Sequence, residues 1–356
     1  METQEGKKRM NRGLKVLLIL FAVIIAVTLA LASAVLVLSR AGRVSLESGD
    51  AAPKITSEPA PENTVEPSGD VPEGRTVRRN GKLYRAKENV TTLLFIGADR
   101  ENADSAQGGS FNADARADAV MLAVMDRDAS KISFVSISRD TICEFDMCDE
   151  NGNYTGRGSG QLALSFRYGD GAMSSCRATE KAVSEMLFDL PIHGAAVLYI
   201  NGIGVINDAV GGVTLTPTES LGSLRAGVEA TLTGSQAELY IRYREMTETG
   251  NLERMQRQKQ YFLALASSAL AKVKGEPTSV IGIYSAAAPY LVTDLGINEI
   301  VYLASQAVGM ELSGEVYTLP GEVRLSEDNY AEYILDVNGV QELIMQLYYE
   351  ELEQTA

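Results

Sequence analysis

The stretch YIRYREMTETGNLERMQRQKQ, residues 240–260, places Arg242, Arg244, Arg254 and Arg257 within a few turns of chain. Planar guanidinium groups grip phosphate oxygens in pairs. Such crowding therefore suits a confined anionic ligand. The rest of the chain does not share this charge: 32 basic residues stand against 47 acidic ones, a net charge of −15. That balance excludes general nucleic-acid binding, which needs a broad basic surface. Three shorter clusters add complementary groups: Gly97-Ala98-Asp99-Arg100, Arg116-Ala117-Asp118 and Ser138-Arg139-Asp140-Thr141. Hard carboxylates beside phosphate suit Mg2+, which takes few protein ligands and keeps several waters. Together these clusters describe a pyrophosphate site. Taken singly, each acid is an ordinary turn or cap residue, and each pair an ordinary surface ion pair.

What separates the two readings is position. Residues 91–97, 119–125 and 132–137 are short apolar runs that read as buried strands. Asp99 and Arg100 follow the first run, Asp118 precedes the second, and Arg139 follows the third. Ligands of open α/β sheets bind at such strand ends. Residues 179–188 read as a helix, 196–200 as a strand, 203–210 as a helix closed by Gly211-Gly212, and 213–216 as a strand. Thr233 and Gln236 fit a capping box that starts a helix running toward Tyr240. Arg242 and Arg244 flank Tyr243, so an extended backbone there would aim both to one side. A longer helix is expected over 252–273, with Met255, Phe262, Ala266, Ala269 and Val273 as its apolar stripe. On it Arg254 and Arg257 would share a different face, with Gln258 beside Arg254. Residues 316–351 add a strand or two and a last amphipathic helix. Alternating strands and helices predict an α/β fold, an α-β-α sandwich around a central mixed sheet.

The N-terminus sets the compartment. Residues 16–38 carry no charge, long enough for a transmembrane helix of about 20 residues. Lys7, Lys8, Arg9, Arg12 and Lys15 precede them, which keeps residues 1–15 cytoplasmic and the remainder extracellular. A cleaved signal peptide ending near Ala32-Ser33-Ala34 is the alternative, but its apolar core is usually shorter. Residues 39–77, rich in Pro, Glu and small residues, read as a disordered linker. Residues 78–356 form the expected extracellular domain. Cys143, Cys148 and Cys176 permit one disulfide in an oxidising exterior, with three possible pairings. His193, after Pro191, reads as a structural turn residue.

The ordered motifs GADR, RADAVML, SISRDT, LYIRYR and ERMQRQ, with FDLPIHGAAVLYINGIGVINDAVGGV between them, resemble the LytR–CpsA–Psr family over about residues 90–273. The resemblance implies a membrane-anchored phosphotransferase. It would move a glycopolymer, such as a wall teichoic acid or capsular polysaccharide, from an undecaprenyl-pyrophosphate carrier to peptidoglycan with phosphodiester formation. Carried over by position, Asp99 and Asp118 would hold Mg2+, and Arg116, Arg139, Arg242 and Arg244 would bind the pyrophosphate. Arg100, Arg254, Arg257 and Gln258 join the substrate-binding set. Two positions depart from the family's usual pattern. Gln161 stands where a lysine is common, and Asn251 where an aspartate is common. The same residues would also serve a polyprenyl-pyrophosphate hydrolase, or a regulatory membrane protein that binds lipid phosphate without turnover.

Overall fold

The computed structural model describes residues 38–43, 46, 52–58, 75–98, 111, 115–243, 250–327 and 329–352. In chain order its first strands are β1 (Thr76–Arg79), β2 (Lys82–Ala86), β3 (Val90–Ala98), β4 (Ala117–Asp126), β5 (Lys131–Ile137), β6 (Ile142–Cys148) and β7 (Tyr154–Gln161). Then come α1 (Met173–Met186), β8 (Gly194–Tyr199), α2 (Gly202–Ala209), β9 (Val213–Leu215), β10 (Ala230–Leu232), α3 (Gly234–Arg242) and α4 (Gly250–Gly275). The chain continues through α5 (Ser279–Ala287), β11 (Leu291–Thr293), α6 (Ile297–Ala307), β12 (Glu311–Thr318), β13 (Gly321–Leu325), β14 (Ala331–Leu335), α7 (Val337–Tyr348) and β15 (Tyr349–Glu351).

The central sheet has the order β11-β8-β3-β4-β5-β12. β3 with β8 and β5 with β12 are parallel, and the other pairs are antiparallel. The sheet is therefore mixed, and β8, β3, β5 and β12 all end at one edge, where β4 begins. Period-two alternation splits the strand residues between two faces. Leu94, Ile96, Val120, Leu122, Val135 and Val197 pack on one face against Val183 of α1 and Ile344 of α7. Leu93, Ala123, Ile132 and Phe134 pack on the other against Phe262 of α4 and Tyr302 of α6. Phe262 meets the Phe134 ring edge-on at 5.0 Å. Helices thus cover both faces of the sheet, the layering that the alternation of elements predicts.

A separate apolar cluster joins α2, β9, β10, α3 and α4 through Val213, Leu232, Ala237, Tyr240 and Tyr261. It explains why α4 has more than the one expected stripe. Phe262 and Ala266 face the sheet, whereas Tyr261 and Ala269 serve this second cluster. The capping box forms as expected, with Thr233 N–H donating to Gln236 Oε1 at 2.9 Å.

Part of the stretch read as linker is docked. Ile55 enters the main core. The Lys54 amide donates to the Phe188 carbonyl at 2.6 Å, and the Tyr349 hydroxyl donates to the Pro53 carbonyl at 2.6 Å. A single β-branched side chain with backbone pairing on both sides suffices to hold such a strap, which composition alone does not show. The folded part also begins before residue 78, because β1 pairs with β2 from Thr76 onward. That hairpin turns at Asn80-Gly81, both at positive φ, the geometry that tight two-residue hairpin turns require. The apolar segment 16–38 lies outside the described residues except for Leu38. Among the described residues, no helix is long and apolar enough to cross a membrane. Cys143, Cys148 and Cys176 are free thiols, and burial pushes the pKa of Cys143 and of Cys176 up to about 12.

Candidate functional site

The register between β3 and β4 shifts at the sheet edge. Gly97 pairs with Ala119 and Ala98 with Ala117, so Asp118 is the extra residue of a β-bulge. A bulge re-aims the side chain it carries. On its other side β4 pairs Val120 with Ile137 of β5. Extending that register by two residues brings Asp118 opposite Arg139, and their side chains form an ion pair. Arg139 Nε lies 3.7 Å from Asp140 Oδ1.

These three residues line a cleft of about 60 Å3 together with Met121, Ser136, Arg254, Met255, Gln258 and Lys259. Arg254 and Gln258 reach it because residues four apart on a helix lie in one row. The Gln258 amide also donates to the Ile241 carbonyl at 3.4 Å, which ties α4 to the end of α3. Lys259 donates to Thr318 Oγ1 at 2.8 Å, at the end of β12. Its pKa is lowered by burial. Asp140 is pushed the opposite way for a carboxyl. Burial raises its pKa, the charges of Arg139 and Arg254 pull it down, and Asp118 adds to the rise. The cleft thus combines two acids with two arginines and one partly desolvated lysine. Its volume admits a few water molecules. Its groups can grip phosphate oxygens, and its carboxylates can hold a hard cation or a proton.

The other expected site residues are distributed differently. Asp99, Arg100 and Arg244 lie outside the described residues. Arg116 is exposed just before β4. Arg242 is also exposed, and its Nη2 donates to Asn201 Oδ1 at 3.3 Å, past the end of β8. It stands at the same sheet edge without lining the cleft. The extended geometry expected around it holds only from Tyr243 (φ −57°, ψ 134°), because α3 runs through Arg242. The capped helix simply continues two residues beyond Tyr240.

Arg257 is the main correction. Its side chain is 2% exposed. It donates from Nε to the Tyr240 carbonyl at 3.0 Å, bonds the Tyr243 carbonyl, pairs with Glu219, and lies 5.5 Å from the centre of the Tyr243 ring. It fastens the end of α3 to α4 and, unlike Arg254, does not line the cleft. Three residues leave the two side chains about 60° apart around the helix, enough for Arg257 to fall in the row of Tyr261, inside the second cluster. Asp140 and Lys259 were missed as cleft residues. Asp140 had a signal in its place beside Arg139 in a strand-end motif; Lys259 had one in its four-residue spacing from Met255. At the departure position Gln161, the amide donates to the Ala331 carbonyl at 2.7 Å. Asn251 lies in α4.

Comparison with known proteins shows the family and the fold. The chain is 26% identical over 256 residues to the polyisoprenyl-teichoic acid–peptidoglycan teichoic acid transferase TagU of Oceanobacillus iheyensis, covering 67% of this chain and 72% of that one. It is 25% identical over 288 residues to the cell wall biosynthesis protein LcpA of Corynebacterium glutamicum, covering 72% of this chain and 55% of that one. The fold is shared with protein gbs0355 from Streptococcus agalactiae, at a TM-score of 0.58 and 19% identity over 75% of this chain and 92% of that one. It is shared equally with a structure described as TagT bound to LI-WTA, at a TM-score of 0.55 and 20% identity over 73% of this chain and 90% of that one. The LytR_cpsA_psr family pattern matches residues 50–348, most of the chain, and the chain belongs to that family.

Proposed function

We propose that the protein is a membrane-anchored phosphotransferase that moves a glycopolymer from a polyprenyl-pyrophosphate carrier to peptidoglycan. The observation that carries this reading is the convergence of a bulged Asp118, Arg139 and Asp140 with Arg254 and Gln258 of α4 on one cleft at the sheet edge. The names of the relatives, teichoic acid transferase among them, support the same reaction class.

In this reading Arg139 and Arg254 hold the diphosphate oxygens and stabilise charge as it develops on the transferring phosphoryl group. Arg116 and Arg242, exposed at the same sheet edge, extend the cationic rim, and Arg244 and Arg100 are assigned to the same ligand from the sequence motifs alone. An acceptor sugar hydroxyl attacks the sugar-proximal phosphorus. A P–O bond forms, the P–O bond to the carrier breaks, and polyprenyl phosphate leaves. Asp140, held in the cleft with a raised pKa, is placed to hold the proton released by the hydroxyl, as a tuned carboxyl can.

Asp99 and Asp118 are the proposed Mg2+ ligands. Among the described residues no group of three or more metal-binding side chains exists. A single hard carboxylate opening on a phosphate cleft nevertheless fits an ion that commonly takes one or two carboxylates plus waters and phosphates. When bound, the ion would neutralise diphosphate charge. The apolar, charge-flanked segment 16–38 supplies the proposed single-pass anchor, with the N-terminus cytoplasmic and the catalytic domain extracellular.

The test uses the full chain in detergent and a polyprenyl-pyrophosphate-linked teichoic acid. Release of polyprenyl phosphate should depend on added peptidoglycan and yield polymer-modified peptidoglycan. Equal release without peptidoglycan would make the protein a hydrolase. Tight binding without release would make it a non-catalytic lipid-phosphate binder.

A further inference from the structure

The charges that line the cleft do not balance. Arg139 pairs with Asp118, and the charges of Arg139 and Arg254 both act on Asp140. Two arginines thus stand beside two carboxylates. Lys259 is a third cation of the lining, and among the described residues no carboxylate pairs with it. It donates instead to a neutral oxygen, Thr318 Oγ1, at 2.8 Å. Lysines elsewhere are treated differently: Lys54, Lys82, Lys87 and Lys181 each meet a carboxylate at 2.7–3.1 Å. Lys259 also occupies an unfavourable row. It follows Met255 by four residues and precedes Phe262 by three, so it stands in the stripe of α4 that faces the sheet. Phe262 packs there on Phe134. An apolar side chain suits that row, whereas an ammonium drawn partly out of water without a counter-ion costs stability. The ammonium has three donors, of which Thr318 takes one. An anionic group entering the cleft meets the others.

Strand order fixes which part of a ligand it meets. Asp118 lies at the start of β4, Arg139 follows β5, and Thr318 ends β12, and these strands are neighbours in the order β4-β5-β12. Thr318 pairs with Ser136, which itself lines the cleft. Strands lie about 4.8 Å apart, which puts Thr318 roughly 10 Å across the edge from Asp118, with Arg139 between them. Lys259 and the Asp118–Arg139 pair therefore approach the cleft from opposite flanks. With side chains reaching in from both, that width suits two joined phosphates better than one.

We infer that Lys259 is a specificity residue that selects a lipid diphosphate over a lipid monophosphate by holding the phosphate on the β12 side of the cleft, an assignment that rests on the phosphoryl-transfer reading of this site. Thr318 positions the ammonium. A diphosphate engages both flanks. A monophosphate engages the arginine flank alone, so the polyprenyl phosphate product is held less tightly than the donor and departs.

The test titrates the full-length protein in detergent with geranylgeranyl pyrophosphate and with geranylgeranyl phosphate. Lys259→Met should weaken the diphosphate roughly 10- to 100-fold, the scale of one charge-assisted hydrogen bond, and the monophosphate less than about threefold. Its melting temperature should hold or rise, because a charge without a counter-ion is removed. Lys259→Arg should keep the preference for diphosphate. Thr318→Val should weaken the diphosphate in the wild-type background and add nothing to Lys259→Met, the non-additivity expected of two residues acting through one contact. Equal losses for the two lipids in Lys259→Met, or no loss, would overturn the proposal. So would a wild-type protein that binds the two lipids alike or binds neither. Should Lys259→Met fail to fold, Lys259→Gln decides. A wild-type protein that prefers the diphosphate through Lys259 but releases no polyprenyl phosphate would keep this proposal and remove the transferase reading. Turnover with a diphosphate preference that survives Lys259→Met would do the reverse.

Discussion

The two ends of β4 each place an aspartate beside a cation, and the two pairs are built for different purposes. At one end Asp126 accepts from Lys87 Nζ at Oδ2 (2.8 Å) and from the Ala129 amide at Oδ1 (2.9 Å). Lys87 also donates to the Leu347 carbonyl at 3.1 Å. The side chains are 19% and 11% exposed, so protein groups meet the needs of both charges. At the other end Asp118 sits in a bulge, pairs with Arg139, and opens on a cleft shared with Asp140 and Arg254. Residue types and their place at a strand end do not distinguish the two pairs. Their surroundings do: one pair closes a seam between β4, the loop before β3 and α7, and the other faces space that a ligand can enter.

The largest expected effect breaks the pair at the cleft. Asp118→Asn should lower turnover about 100- to 1000-fold, the scale for losing one preorganised electrostatic group, with little change in melting temperature. Release of polyprenyl phosphate and a thermal melt on the same sample would check both halves. Asp126→Ala should do the converse. It strands the Lys87 charge and should cost about 3 kcal/mol of stability, the low end for breaking a buried pair, while diphosphate binding by the folded fraction persists. Urea denaturation measures it. If Asp126→Ala instead removed activity without destabilisation, the contrast between the two ends would fail.

Arg257→Lys sharpens the same distinction within one motif. It keeps the charge but loses the fork that bonds the Tyr240 and Tyr243 carbonyls, and should cost about 2 kcal/mol in stability. Arg254→Lys should leave stability nearly unchanged and weaken diphosphate binding. Isothermal titration with geranylgeranyl pyrophosphate, beside urea melts, would reverse the assignment if the two variants exchanged behaviours.

The smallest expected effect is a pH dependence at the structural end. His193, the single histidine, accepts the Thr92 amide at Nδ1 at 3.1 Å. Burial lowers its pKa below the ordinary 6.5, and the Arg127 charge reinforces that shift. The unfolded chain therefore binds this proton more readily than the folded one. The contribution to stability is complete above pH 6.5 and is lost as pH falls through the folded value. His193→Asn keeps an acceptor oxygen without a titrating ring, so its melting temperature should fall less between pH 7 and pH 5 than that of the wild type.

The sequence by itself determined the apolar runs that became β3, β4, β5 and β8, the capped start of α3, and the long helix α4. It also determined that Asp118 and Arg139 would meet at one edge, because strand ends and local periodicity follow from side-chain spacing. It marked Arg254 and Gln258 by their four-residue spacing. Only the tertiary structure separated Arg254 from Arg257. Both lie on the same helix, and which row faces a cleft and which is buried depends on the second cluster around Tyr240 and Tyr261, formed by residues distant in sequence. Tertiary contact likewise decided that residues 52–58 are docked, through backbone bonds to Phe188 and Arg78 that no local pattern announces. The bulge at Asp118 belongs to the same class: one extra residue against β3 is a property of strand pairing, and pairing exists only once the strands have met.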